Sequence, residues 1–152
     1  MDVLRRSLIG VTVAGLGVDA YVHLSLASTY DPVKDVVSQG QLFRVEAVLA
    51  IVAAVLLVLR PGRLTASVAA LVAGGGLLAL LLLRYVDVGG LGPFPDMYEP
   101  LWYAEKVVTA VAQAIATASA VALTLLGPGR GSAMDGTGRP GRAVTRSGDG
   151  SP

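Results

Sequence analysis

The chain has 152 residues, 53% of them hydrophobic and 15% charged, with a formal net charge of +1 at pH 7. With a mean hydropathy of +0.65 it falls outside the usual range of soluble domains, so the relevant solvent is a bilayer. The absence of cysteine excludes disulfides, thiolate metal centres and cysteine nucleophiles.

Four stretches carry no charge at all: "LIGVTVAGLGV", "AVLAIVAAVLLVL", "TASVAALVAGGGLLALLLL" and "VVTAVAQAIATASAVALTLL". Extending each to the roughly 20 residues that cross a ~30 Å hydrocarbon core predicts helices near 7–28, 41–59, 64–84 and 101–126. The expected fold is all-α, a four-transmembrane-helix bundle over residues 1–126. No internal or inverted repeat points to a transporter. A four-residue inner turn, "RPGR", makes sequential helices neighbours.

Charge placement predicts orientation. Arg5 and Arg6 precede helix 1, Arg60 and Arg63 fill the second connection, and Arg130, Arg139, Arg142 and Arg146 follow helix 4. The positive-inside rule therefore puts both termini and "RPGR" in the cytoplasm. The connections "TYDPVKDVVSQG" and "RYVDVGGLGPFPDMYEP" carry Asp31, Asp35, Asp87, Asp96 and Glu99 against Lys34 and Arg84, and belong outside. The expectation is a multi-pass plasma-membrane protein. Residues 127–152, rich in Gly, Pro, Ser and Arg, read as a disordered cytoplasmic tail. Residues 1–27 also admit a signal-peptide reading, with "SLIGVTVAGLGV" as its apolar region, but Asp19 and His23 would lengthen its polar end unusually.

In chain order, "GLGVDAYVHLSLASTYDP" contains Asp19 and the single histidine, His23, at i and i+4, above Gly15 on one small polar face. At 1.5 Å per residue, Asp19 lies on the order of 13 Å, and His23 roughly 8 Å, below the outer end of helix 1. On helix 2, Glu46 shares a stripe with Ala50, Ala53 and Ala54, whereas Arg44 faces about 200° away and snorkels. In helix 3, "AGGGLL" has no following Lys-Ser or Lys-Thr and is a packing feature, with Ala70 and Gly74 at small-xxx-small spacing. On helix 4, Glu105, Thr109, Ala112, Gln113, Ala116 and Ala120 form a small polar stripe bordered by Lys106. Pro100 suits that helix's first turn.

Charges near mid-bilayer cost about 2.5 to 3.5 kcal/mol and normally face the bundle interior in pairs. Asp19, His23, Glu46, Glu105 and Lys106 are therefore expected to form one outer-leaflet polar cluster, with Tyr21, Trp102 and Tyr103 as candidate walls. Three roles are open: a structural network fixing helix register, a small-molecule or quinone-like pocket, and a proton or cation path. The path is disfavoured because the inner halves of the helices are almost free of polar groups. One histidine and no cysteine make a weak ligand set for zinc or copper, so no metal site is expected. No nucleophile elbow surrounds Ser25 or Ser28. The loop before helix 4, "GGLGPFPDMYEPLWYAEK", anchors its aromatics at the interface or folds over the cluster as a lid.

The segments "AYVHLSLASTYD", "SQGQLFRVEA" and "PDMYEPLWYAEK" resemble small four-helix membrane proteins of high-GC actinobacteria and, more loosely, the DoxX-like group. The resemblance covers roughly residues 5–126. It implies a plasma-membrane protein, and the DoxX-like relation implies a respiratory or redox accessory role. No DoxX motif is matched residue by residue, so no site is transferred. The leading expectation is a non-catalytic accessory or ligand-binding protein. The alternatives are a quinone- or haem-linked redox subunit, with His23 the single histidine ligand, and a proton or cation carrier. Expected partners are the lipid bilayer and a hydrophobic small molecule or another membrane subunit. Homo-oligomers are allowed, and no nucleic acid is expected.

Overall fold

The computed structural model describes residues 3–126, in which four helices and no strand occur: α1 (Val3–Ala27), α2 (Gln39–Leu59), α3 (Arg63–Tyr85) and α4 (Ala104–Leu126). Each is long and apolar enough to cross a membrane. The tail expected over 127–152 lies outside the described residues. Consecutive helices pack side by side and α1 closes the ring against α4, while α2 and α4 lie across the diagonal with no close backbone approach.

The core is built from alanine. Ala47, Ala50 and Ala53 of α2, Ala66, Ala69 and Ala73 of α3, and Ala116 and Ala120 of α4 are buried, with Leu16, Leu57 and Leu123 as the large core side chains. The large apolar residues point the other way: Leu71 and Leu78 are 75% and 67% exposed while Ala69 and Ala73 of the same helix are at 0%. A water-soluble bundle would bury its leucines. This arrangement fits lipid, where helices gain nothing by hiding leucine and associate by bringing small residues and backbones close.

Local sequence explains the ends. Ser38 caps α2 reciprocally: the Gln41 amide donates to its hydroxyl at 3.0 Å, and its own amide donates to the Gln41 carboxamide at 2.9 Å. That box starts α2 at Gln39, ahead of the expected 41. Helix α1 begins at Val3 rather than 7 and is 25 residues long, about 37 Å. Its buried Arg5 donates to the Pro61 carbonyl at 3.1 Å and fastens α1 to the "RPGR" turn. Helix α4 starts at Ala104, not 101, so Pro100 precedes the helix instead of opening it. The cause lies at Glu99, whose amide donates to the Leu83 carbonyl at 3.1 Å and whose carbonyl accepts from Lys106 Nζ at 2.8 Å. Pinned to the end of α3, the chain needs Leu101–Tyr103 to reach α4, and the proline keeps Glu99 extended.

Close approach is permitted at particular glycines. A Cβ on Gly15 would sit 2.9 Å from the Ala112 carbonyl oxygen and 2.9 Å from the Ala116 Cβ, so α1 and α4 meet backbone to backbone there. Gly74 of the "AGGGLL" segment rests against Thr117 of α4, its added Cβ falling 3.3 Å from the threonine methyl. Gly17 faces open space. Gly15→Ala is therefore expected to destabilise the bundle by about 1–3 kcal/mol through overpacking, whereas Gly17→Ala gains up to about 1 kcal/mol of helix propensity. Thermal unfolding of the two variants in the same detergent checks this, and equal midpoints would refute the α1–α4 contact.

Candidate functional site

Asp19 is the centre of the site. It is at 0% exposure on the inward face of α1, between α2 and α4. Gln113 of α4 donates from Nε2 to its Oδ1 at 2.9 Å. His23, one turn further along α1, brings Nδ1 to 3.0 Å from that oxygen and to 3.0 Å from the Asp19 carbonyl. Both neighbours of Nδ1 are acceptors, so Nδ1 carries a proton, and in the neutral ring the lone pair is on Nε2. The same reasoning orients Gln113, because its nitrogen must face the carboxylate. Asp19 Oδ2 and Gln113 Oε1 remain buried without a partner.

Glu46 of α2 and Gln113 converge on Gly76 of α3. A Cβ on Gly76 would collide with Gln113 Nε2 and lie 2.7 Å from Glu46 Oε1. The glycine is the space these two side chains use. Glu46 Oε1 is buried and makes no hydrogen bond.

A cavity of about 230 Å³ opens beside this group, between the helices and at the end of the bundle that carries the two long loops. Its polar lining comes from His23, Glu46, Thr109, Lys106, Glu99 and Tyr103, and its apolar lining includes Phe43, Leu80 and Leu83. Thr109 is 3% exposed and its hydroxyl has no partner. The loop before α4 contributes Met97 and Glu99 to the wall, and its Pro93 carbonyl accepts from the Val37 amide of the first long loop at 2.9 Å. That loop turns at Gly92, whose φ of +59° is a left-handed conformation suited to glycine.

A second polar group closes the mouth. The Tyr30 hydroxyl donates to Glu99 Oε2 at 2.9 Å and lies 3.0 Å from the Tyr103 hydroxyl. Lys106 Nζ sits 3.6 Å from Glu99 Oε2 and 5.2 Å from the centre of the Tyr103 ring. Burial raises both tyrosine pKa values above the ordinary phenol range, so both stay protonated donors at neutral pH. The Phe43 ring joins the two groups, 5.2 Å edge-on from His23 and 5.1 Å from Tyr30.

Of the residues singled out from the sequence, Asp19, His23 and Glu46 lie together, Lys106 lines the same cavity, and Tyr103 forms part of its wall. Three are placed elsewhere. Glu105 is exposed: with α4 starting only at Ala104 it occupies the first turn, beyond the helix contact that buries Thr109, Gln113 and Ala116. A carboxylate there complements the helix dipole. Tyr21 is 73% exposed, on the opposite side of α1 from the buried Asp19. Trp102 does not line the cavity and instead lies under the Arg84 guanidinium, 5.6 Å from it, in the stretch that bridges to α4. Arg44, as its helix angle predicts, points outward and forms a bidentate pair with Asp31 at 2.8 and 2.7 Å.

The sequence reading missed Gln113 as the donor to Asp19, although its place on the Thr109–Ala116 stripe was visible. It also missed Tyr30 and Glu99, whose pairing joins loops 69 residues apart and has no local signal. Among the described residues no group of three or more His, Cys, Asp or Glu is placed to hold a metal ion. The chain matches no protein-family model, no curated protein and no solved structure.

Two expectations follow from this geometry. His23→Ala and Gln113→Ala each remove a donor from buried Asp19 and should each cost about 1–3 kcal/mol. Since both act on one oxygen, the double variant should depart from additivity by about 0.5 kcal/mol or more, and strictly additive unfolding energies would show that the two do not share Asp19. On the surface, the Arg44 guanidinium holds the Asp31 carboxyl below the usual aspartate range. A depressed pKa makes this pair's contribution complete above the ordinary aspartate pKa and lost as pH falls through the lower folded value. In a carboxyl-carbon NMR titration, Arg44→Gln should return the Asp31 midpoint upward, and an unmoved midpoint would dismiss the pairing.

Proposed function

We propose that the chain is a multi-pass plasma-membrane protein with both termini cytoplasmic, and that it binds a small amphipathic molecule entering from the outer leaflet, without catalysing its conversion. The observation that carries this reading is a largely apolar cavity of about 230 Å³ walled in part by Glu46 and Thr109, residues that each keep a buried side-chain oxygen, Oε1 and Oγ1, without a hydrogen-bond partner. Buried polar atoms are normally satisfied, and each orphan calls for a partner such as a ligand or ordered water. A purely structural network would pair its members with one another, as Asp19, His23 and Gln113 do on Oδ1.

The size supports a compact ligand. An apolar cavity of ~150 Å³ admits a benzene ring, so this one has room for a single ring and a polar head. The arginines of "RPGR" and the acidic balance of the two long loops support the orientation.

Native mass spectrometry of the protein released from nanodiscs tests the reading on wild type, His23→Ala and Glu46→Gln. The expected result is an added mass on the wild type that both variants lose. A bare wild type, with variants that only unfold at lower temperature, would make the cluster structural. An added mass with quinone or haem absorbance, lost in His23→Ala, would move the protein to the redox class.

A further inference from the structure

Several groups around the cavity lack a partner: the Glu46 carboxyl, Nε2 of His23, which accepts when the ring is neutral, the Thr109 hydroxyl, which can accept or donate, and the Gln39 carboxamide, which can do both. Behind them, Asp19 Oδ2 and Gln113 Oε1 are two more acceptors without donors.

Thr109 stands out among the helical hydroxyls. Thr12, Thr117, Ser119 and Thr124 each return the hydroxyl to the carbonyl four residues earlier, at 2.6 to 3.0 Å. That is the ordinary way a helix satisfies such a side chain in lipid. Thr109, at 3% exposure, makes no such bond although its residue lines the cavity.

The charges point the same way. Asp19 and Glu46 are two carboxyl groups beside one histidine, so a single protonated His23 cannot neutralise both when they are ionised. Of the other cations nearby, the one that lines the cavity is already paired. Lys106 is held by the Glu99 carbonyl at 2.8 Å and its carboxylate at 3.6 Å, and Arg84, whose Nε is buried without a hydrogen-bond partner, is not part of the cavity wall and lies over the rings of Tyr85 and Trp102. In a site of low dielectric an uncompensated carboxylate strongly favours a cationic partner.

Resting on the ligand-binding reading above, we propose that the cavity selects an organic ammonium: a protonated primary or secondary amine on a compact apolar body. The ammonium donates to Glu46 and Thr109, with His23 Nε2 as a further acceptor, and the body packs against Phe43, Leu80 and Leu83. A neutral alcohol of the same shape supplies one donor and no charge, and a quinone supplies no donor at all.

The test uses the full chain in phosphatidylcholine nanodiscs at pH 7.5, with 2-phenylethylamine and 2-phenylethanol as probes of matched size, measured by equilibrium dialysis against empty nanodiscs. Wild type should bind the amine about tenfold or more tightly than the alcohol. Glu46→Gln should bring the two to within about twofold, and Thr109→Val should weaken the amine more than the alcohol. The wild-type comparison and Thr109→Val decide the matter if Glu46→Gln does not fold. Equal binding of amine and alcohol overturns the ammonium proposal and leaves the ligand site standing. Binding of neither probe overturns the proposal too, and if native mass spectrometry also finds the wild type bare, the ligand-binding reading falls with it.

Discussion

A carboxylate with no access to water, set inside a bundle of apolar helices, is the constraint from which the surrounding structure follows. Asp19 is at 0% exposure, and a charge at such depth costs about 2.5 to 3.5 kcal/mol on the most lenient scale. It persists because two donors from different turns and different helices converge on one oxygen. His23 is placed by helical spacing and Gln113 by the contact between α1 and α4. That contact depends in turn on Gly15, which lets the two backbones approach.

The alanine core has a second consequence. Small side chains draw the helices together but fill little space, so room for long polar side chains exists only where the sequence makes it. Gly76 makes it on α3, and Glu46 and Gln113 occupy the volume its missing side chain leaves. In the other half of the bundle, apart from Arg5 at its end, the buried polar groups are short: Thr12 and Ser119 meet at 2.8 Å, and each also bonds a carbonyl of its own helix. The cavity walled by Glu46 and Thr109 accordingly lies at the long-loop end.

The two long loops act with the helices there. Ser38 fixes where α2 begins, Glu99 fixes where the last loop leaves α3, and Tyr30 links the loops through Glu99 and Tyr103. Met97 and Glu99 supply a wall that the helices do not. In the loop for which interfacial anchoring and a covering role were the two expectations, Trp102 lies under Arg84, and the segment just before it borders the cavity.

The sequence by itself determined the solvent, the number of helices and the inward faces of α1 and α2, because hydropathy and the 3.6-residue period act along the chain and need no knowledge of neighbours. Asp19, His23, Gly15, Glu46 and Ala50 were legible for that reason. Helical phase alone placed Glu105 inward, and tertiary structure reversed it, because a face is buried only along the length over which a partner helix runs, and α4 begins too late for its first turn to meet one. Tyr21 and Trp102 were assigned by residue type and depth without their angle around the helix or the path of the loop. Which donor reaches Asp19, which glycine leaves room for Glu46 and which tyrosine closes on Glu99 were decided in three dimensions. These are contacts between residues 69 or more positions apart in two cases, Tyr30–Glu99 and Asp19–Gln113, and no local pattern in the chain encodes the meeting of segments so distant.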